Sequence, residues 1–219
     1  MLGAEETAYQ FAIPSPFSSS QSEIFISPIS TRYRDRERSI SPISTIIRDL
    51  VSERPGNYFI FFPSYQYMKD VYELFVKENP FMDTIIQLGQ MAEDERESFL
   101  KQFRTDREKP LIGFAVMGGI FSEGVDLKGD RLKGVVVVGT GLPQICLERN
   151  IIMDYFSSQG KNGYDYSYIY PGFNKVLQAG GRLIRSEQDT GTIVLIDDRF
   201  LEKRYLNLLP TEWKDFNII

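Results

Sequence analysis

The 219-residue chain contains no histidine and a single cysteine, Cys146. The first absence removes Ser-His and Cys-His nucleophile systems, histidine-ligated zinc and the H-E-x-x-H metalloproteases together. The second leaves the chain without an internal disulfide or a four-cysteine cluster. No stretch matches G-x-x-x-x-G-K-[ST]. The paired glycines Gly118-Gly119 and Gly180-Gly181 lack the lysine and hydroxyl residue that would have to follow. Without that cradle of backbone N–H groups, the chain is not expected to hold a triphosphate firmly by itself. The longest apolar run, Val135 to Val138 with its neighbours, is far short of a membrane span. No charged, apolar and small-residue sequence opens the chain, so no secretory signal and a cytoplasmic location are expected. The chemistry that remains must use carboxylates, arginines and hydroxyls. That menu suits phosphoryl transfer or glycoside hydrolysis.

Apolar material is ample. Hydrophobic residues make up 42% of the chain, with sixteen Phe and twelve Tyr, enough for the core of one α/β domain. The net charge of −5 argues mildly against a general nucleic-acid binder, whose footprint would be basic. The clearest local patch sets Arg32, Arg34, Arg36 and Arg38 against Asp35 and Glu37. It reads equally as a solvated, self-neutralising loop or helix end.

Residues 1–22, with clustered Ser and with Pro14 and Pro16 close together, read as an N-terminal segment with little regular structure. From residue 23 to 219, strands alternate with helices. Short or unbroken apolar runs predict strands at 23–27, 58–62, 84–88, 111–117, 134–139 and 192–196. Helical periodicity places Ile43, Ile46, Ile47, Leu50 and Val51 on one helix, closed by Arg54-Pro55-Gly56. It places Tyr65, Met68, Val71, Tyr72 and Phe75 on the next. Further helices are expected at 92–104, where acids open and bases close the segment as a helix dipole favours, and at 144–156 and 173–185. This alternation predicts an α/β fold: a mostly parallel sheet covered by helices on both faces. Ligands in such sheets gather beyond the carboxyl ends of the strands.

Two loops carry candidate chemistry. The segment from Met117 to Leu127 leaves a strand through glycines and holds two carboxylates, Glu123 and Asp126. An ordinary turn with helix-capping acids accounts for it as well as a ligand loop does. The segment from Gln178 to Arg185 sets Gln178, Arg182 and Arg185 at i, i+4 and i+7, which on a helix share one face. Two glycines inside a helix cost roughly 1 kcal/mol each relative to alanine, a cost best accepted where something approaches the backbone closely. Two arginines without acids on the same stripe form an anion-directed face suited to phosphate oxygens. Surface ion pairs to Glu187 or Asp189 are the competing explanation.

Taken in order, these segments resemble a known family. Phe61-Phe62-Pro63-Ser64-Tyr65 looks like helicase motif IV, the Gly119 to Asp126 loop like motif V, and Gln178 to Arg185 like motif VI. Ser-Pro-Phe at 15–17, Ser-Thr-Arg-Tyr-Arg-Asp-Arg at 30–36 and Asp197-Asp198-Arg199-Phe200 resemble the XPD/DinG branch of superfamily 2 DNA helicases. The chain departs from that branch after Gly141-Leu142-Pro143, where Gln144-Ile145-Cys146 replaces an aromatic and further prolines.

The resemblance implies the second RecA-like domain of a two-part motor that binds ATP and Mg2+ between its domains. The N-terminal motor domain of the same parent would bring the Walker A lysine, the acidic metal box and, in many members, an iron–sulfur cluster. It implies that Arg182 and Arg185 act as arginine fingers on the γ-phosphate, with Gln178 positioning the nucleotide or the attacking water. Glu123, Gly124 and Asp126 would lie near the ribose. Ser64, Tyr65 and Thr140 would meet the backbone of single-stranded DNA, along which the family moves 5′ to 3′. A non-catalytic docking module on the same fold, and a self-contained enzyme using Glu123 and Asp126 as an acid/base pair, remain as alternatives.

Overall fold

The computed structural model describes residues 16–121 and 127–219. Along the chain run β1 (Ser22–Ser27), α1 (Arg36–Glu53), β2 (Tyr58–Phe62), α2 (Tyr65–Glu78), β3 (Asp83–Ile86), α3 (Glu93–Lys101) and β4 (Leu111–Val116). They are followed by β5 (Gly134–Val138), α4 (Leu147–Ser158), α5 (Tyr170–Gly180), β6 (Gly191–Ile196), α6 (Lys203–Leu206) and β7 (Phe216–Ile218). The strands form one sheet in the order β3-β4-β2-β5-β6-β1-β7, and every pairing is parallel. Parallel neighbours require crossovers, and the helices that make them cover the sheet.

The unbroken runs of β2, β4 and β5 are buried at every position, because side chains of both parities meet a helical layer. Tyr58, Ile60 and Phe62 point to the layer made by α1 and α2, against Ile47, Val71 and Phe75. Phe59 and Phe61 point to the opposite layer, against Phe99, Phe103 and Phe121, with Val176 of α5 in the same core. The Phe59 ring stacks on Phe103 with centroids 4.7 Å apart. Asp83–Ile86 is an edge strand, half-buried throughout.

Several boundaries differ from the periodicity. The helix expected from Gln144 begins at Leu147, after an extended Cys146, and residues 139–146 run as a loop. The helix expected over 173–185 spans Tyr170–Gly180, entered through a π-helical turn at Asp165–Ile169. The glycine at its end has a packing cause. A methyl group on Gly180 would overlap the Trp213 ring, which is buried against this turn. Gly180 therefore accommodates the chain's own tryptophan rather than a ligand.

That contact sets the sign of a substitution. At an open helical site Gly→Ala gains about 1 kcal/mol. At Gly180 the overlap is expected to cost about 1–3 kcal/mol, so the variant should be less stable on balance. A net loss of about 1 kcal/mol lowers the melting midpoint by roughly 2–4 °C in a domain of this size. A midpoint that rises would refute the role given to Trp213.

Candidate functional site

The loops beyond the carboxyl ends of β2, β4 and β5 lie side by side, because those strands are neighbours in the sheet. Ser64 caps α2, its hydroxyl accepting from the Tyr67 N–H. That cap fixes Tyr65 at the first helical position, 41% exposed. The Tyr65 hydroxyl accepts from Gln87 Nε2 at 2.7 Å, and Gln87 Oε1 in turn accepts from the Val116 N–H at 2.9 Å. Gln87 is 2% exposed, and it had no place among the sequence candidates. Its signal was a lone amide closing the apolar run Ile85-Ile86 at the end of a strand. A buried amide must find partners, and here they bind Tyr65 to the exit of β4.

Beyond β4, the Met117 N–H donates to Phe62 O, and Gly118 turns the chain at φ 71°. Glu123, Gly124 and Asp126 lie outside the described residues. Phe121 and Leu127, on either side of them, are buried in the core. After β5, Gly139 and Gly141 adopt φ of 82° and 67°. Between them Thr140 turns inward, 1% exposed and facing the Tyr205 phenol. Thr140 was expected to meet a DNA strand; the two turns hold its side chain inside the protein.

Gln178, Arg182 and Arg185 do not share a helix face. Gln178 is exposed on the last turn of α5 and Gly181 caps it. Arg182 and Leu183 then close two tighter turns, donating to Ala179 O and Gly180 O. The helix stops because Leu183 is drawn into the core and Asp189 gathers the chain that follows. Asp189, 3% exposed, accepts from the backbone N–H groups of Arg185 at 2.8 Å, Ser186 at 2.7 Å and Gly129 at 2.8 Å. Burial pushes this carboxyl up, but the three donors outweigh it and hold it below the usual carboxylate range. Gln21 Nε2 adds bonds of 2.9 Å to Ser186 O and Asp189 O. Asp189, weighed in the sequence as a surface partner for the arginines, is thus the buried centre of their loop.

This loop approaches β6 from below, tied to the segments that lead into β1 and β5. It lies at the amino edge of the sheet, opposite the Tyr65–Gln87 cluster, with α5 running between them. The rule that directs attention to carboxyl ends finds only one of the two clusters.

Asp189→Asn keeps the side chain's size and removes its charge. It is expected to cost about 1–3 kcal/mol at neutral pH. Since the folded carboxyl titrates below its unfolded value near 3.9, this stabilisation is present above that pH. It is lost as pH falls through the folded value. Urea titrations of both proteins from pH 7 to 2.5 should show the gap closing in acid. A gap that stays constant would place the stabilisation elsewhere.

A family model described as a helicase C-terminal domain matches residues 47–216. An ATP-dependent DNA helicase DinG from Photobacterium profundum is 36% identical over 118 residues, covering 52% of this chain and 17% of that protein. The ATP-dependent DNA helicase chl-1 of Caenorhabditis elegans is 27% identical over 194 residues, covering 84% of this chain and 23% of the relative. The chain therefore spans only a minor part of either relative's length. Among solved structures, one titled XPD_APO superposes with a TM-score of 0.74 at 18% identity, over 91% of this chain and 40% of that one. S. tokodaii Xpd4 gives 0.70 at 18% identity, over 99% and 41%. At these identities the structures establish the fold, which is the RecA-like layer arrangement of the sheet described above.

Proposed function

Since the chain belongs to the helicase C-terminal domain family, in its XPD/DinG branch, we propose that it is the second motor domain of an ATP-dependent DNA helicase. It would complete an ATP site whose phosphate loop is carried by an N-terminal motor domain of the same parent. The observation that carries this reading is the Arg182–Arg185 loop, where a buried carboxylate fixes the backbone beside two half-buried arginines. An arginine finger stabilises charge that develops on the transferring phosphoryl group only if it is held in place beforehand. Arg182 and Arg185 would face the γ-phosphate, with Gln178 beside the attacking water and Glu123, Gly124 and Asp126 toward the ribose. ATP with Mg2+ supplies the phosphoryl group, and the metal's ligands would come mainly from the first domain. The one cysteine, Cys146, is exposed and cannot anchor an iron–sulfur cluster, which in a parent that has one belongs to another part.

Single-stranded DNA would lie across the carboxyl edge, over Ser64 and Tyr65, gripped by its backbone and without sequence preference. Among the described residues no helix is long and apolar enough to cross a membrane.

The test is DNA-stimulated ATP turnover by the full-length parent and by this chain alone. The parent is expected to turn over and the isolated chain not to. Turnover by the isolated chain, or by a parent lacking it, would overturn the reading. A second reading, a docking module, is favoured by α4, which buries none of its residues and exposes Leu147, Ile151 and Tyr155 along one stripe. It predicts partner binding that ignores nucleotide.

A further inference from the structure

Several half-buried arginines of this acidic chain meet a carboxylate: Arg32 meets Asp198, Arg107 meets Asp83, and Arg199 meets Asp197. Lys175 and Arg149 do not. Lys175, half-buried on α5, makes no ion pair among the described residues. Arg149, half-buried on α4, donates to the Ser167 carbonyl and meets no carboxylate among the described residues. Burial, and then the nearby Arg149 charge, push the Lys175 ammonium down, so the two cations share one uncompensated field.

The place of Lys175 is defined by two turns. A methyl group on Gly118 would lie 3.2 Å from Lys175 Cε and 3.6 Å from Nζ. One on Gly141 would lie 3.5 Å from Lys175 Cβ. The lysine stem therefore runs between the exits of β4 and β5. On the far side of the same turn, a methyl on Gly119 would lie 3.1 Å from Gln87 Nε2, the atom that holds the Tyr65 hydroxyl. Tyr65, Gln87, the glycine turn and Lys175 form one continuous line along the carboxyl edge. Lys175 precedes the end of α5 by five residues, or roughly 7–8 Å along the axis, and so stands apart from the arginine loop at the other edge.

We propose that Lys175 and Arg149 form a phosphate-binding site, at the carboxyl edge between Gly118 and Gly141, that takes a phosphodiester of the single strand lying over Tyr65. The claim rests on the DNA-gripping reading above. Its ligand chemistry, phosphate oxygens, is shared with a nucleotide. The separation from Arg182 and Arg185, and the alignment with Tyr65, favour the strand. An ammonium with no ion-pair partner among the described residues regains by phosphate contact what burial cost it, and releases a counterion from the strand.

The test uses the full-length parent and a labelled oligo-dT, with affinity measured across salt concentrations. Loss of one phosphate contact on a single strand lowers the slope of log affinity against log salt by about 0.7, and affinity at 0.1 M salt by about fivefold. Lys175→Met is expected to show both, for every base composition, and Lys175→Arg to retain the wild-type slope. Arg149→Gln supplies a second variant should Lys175→Met fold poorly, and should lower the slope likewise. A slope unchanged in both neutral variants overturns the proposal. So does a wild-type slope paired with weakened binding of a non-hydrolysable ATP analogue, which would assign the cations to the nucleotide. No DNA binding by wild-type parent would instead refute the helicase reading itself.

Discussion

In the full-length parent, Arg182→Ala is expected to lower DNA-stimulated turnover of ATP by about a thousandfold while leaving the folded domain intact. The size follows from where the charge develops. Phosphoryl transfer spreads negative charge over the equatorial oxygens, and a guanidinium already in place stabilises the transition state far more than the bound substrate. The loss should therefore fall on kcat rather than KM. Arg185→Ala should act in the same sense. Its backbone N–H, and so its bond to Asp189, survives the substitution, and that separates the loss of the guanidinium from loosening of the loop. Lysine at either position should rescue poorly, since an ammonium lacks the planar fork that grips two oxygens at once. Stopped-flow measurement of phosphate release, with oligonucleotide binding checked in parallel, decides the matter. Turnover within threefold of wild type for both alanine variants would mean that this loop only shapes the fold, and the docking reading would then lead.

The layers of this domain were legible because burial on both faces leaves a plain mark: YFIFF and GVVVV can hardly sit anywhere but in the middle of a parallel sheet. Helices with a strong apolar stripe were equally plain, as Ile43, Ile47 and Leu50 on α1 demonstrate. The end of α5 was not. Helical spacing continues through Arg185, but Leu183 is drawn into the core and Asp189 ties the following loop to Gly129 and Gln21, contacts distant in sequence. The strand β7 escaped for a related reason. Three residues carry no period, and their strand character comes from β1 alongside. Gln87 and Lys175 were missed because their importance lies in what surrounds them: an amide with two partners, and an ammonium with none among the described residues. The arginine patch at 32–38 divides in a way no charge count reveals. Arg32 pairs with Asp198 and Glu202, whereas Arg36 lies over the rings of Tyr33 and Tyr67.

The largest stability effect is expected at Asp197, which stands where β6 leaves the sheet and is fully buried. Its carboxylate accepts from Arg199 Nε at 2.7 Å, Nη2 at 2.8 Å and the Arg199 backbone N–H at 2.9 Å, and also from the Thr31 hydroxyl. Its own N–H donates to Ser27 O, so it joins the exits of β1 and β6. Asp197→Ala would take from the Arg199 guanidinium, whose side chain is only 16% exposed, the carboxylate it is paired with. Removing one partner of such a pair costs about 3–5 kcal/mol, a large share of the 5–15 kcal/mol that typically holds a domain together. Denaturant unfolding should read that loss directly. Arg199→Met alone should be comparably damaging, for the converse reason. The double variant should lose much less than the sum, because the penalty lies in the orphaned charge and not in the absence of attraction. Acid provides an independent check. Burial pushes the Asp197 carboxyl up, but Arg199 and Thr31 outweigh it and hold it below its ordinary value. The stabilisation is therefore complete above the unfolded value near 3.9 and disappears as pH falls through the folded one. Wild type and Asp197→Ala should converge in stability once the pH has fallen through that folded value. Strict additivity of the two single substitutions would show that the residues act independently, and that the corner between β1 and β6 is held by something else.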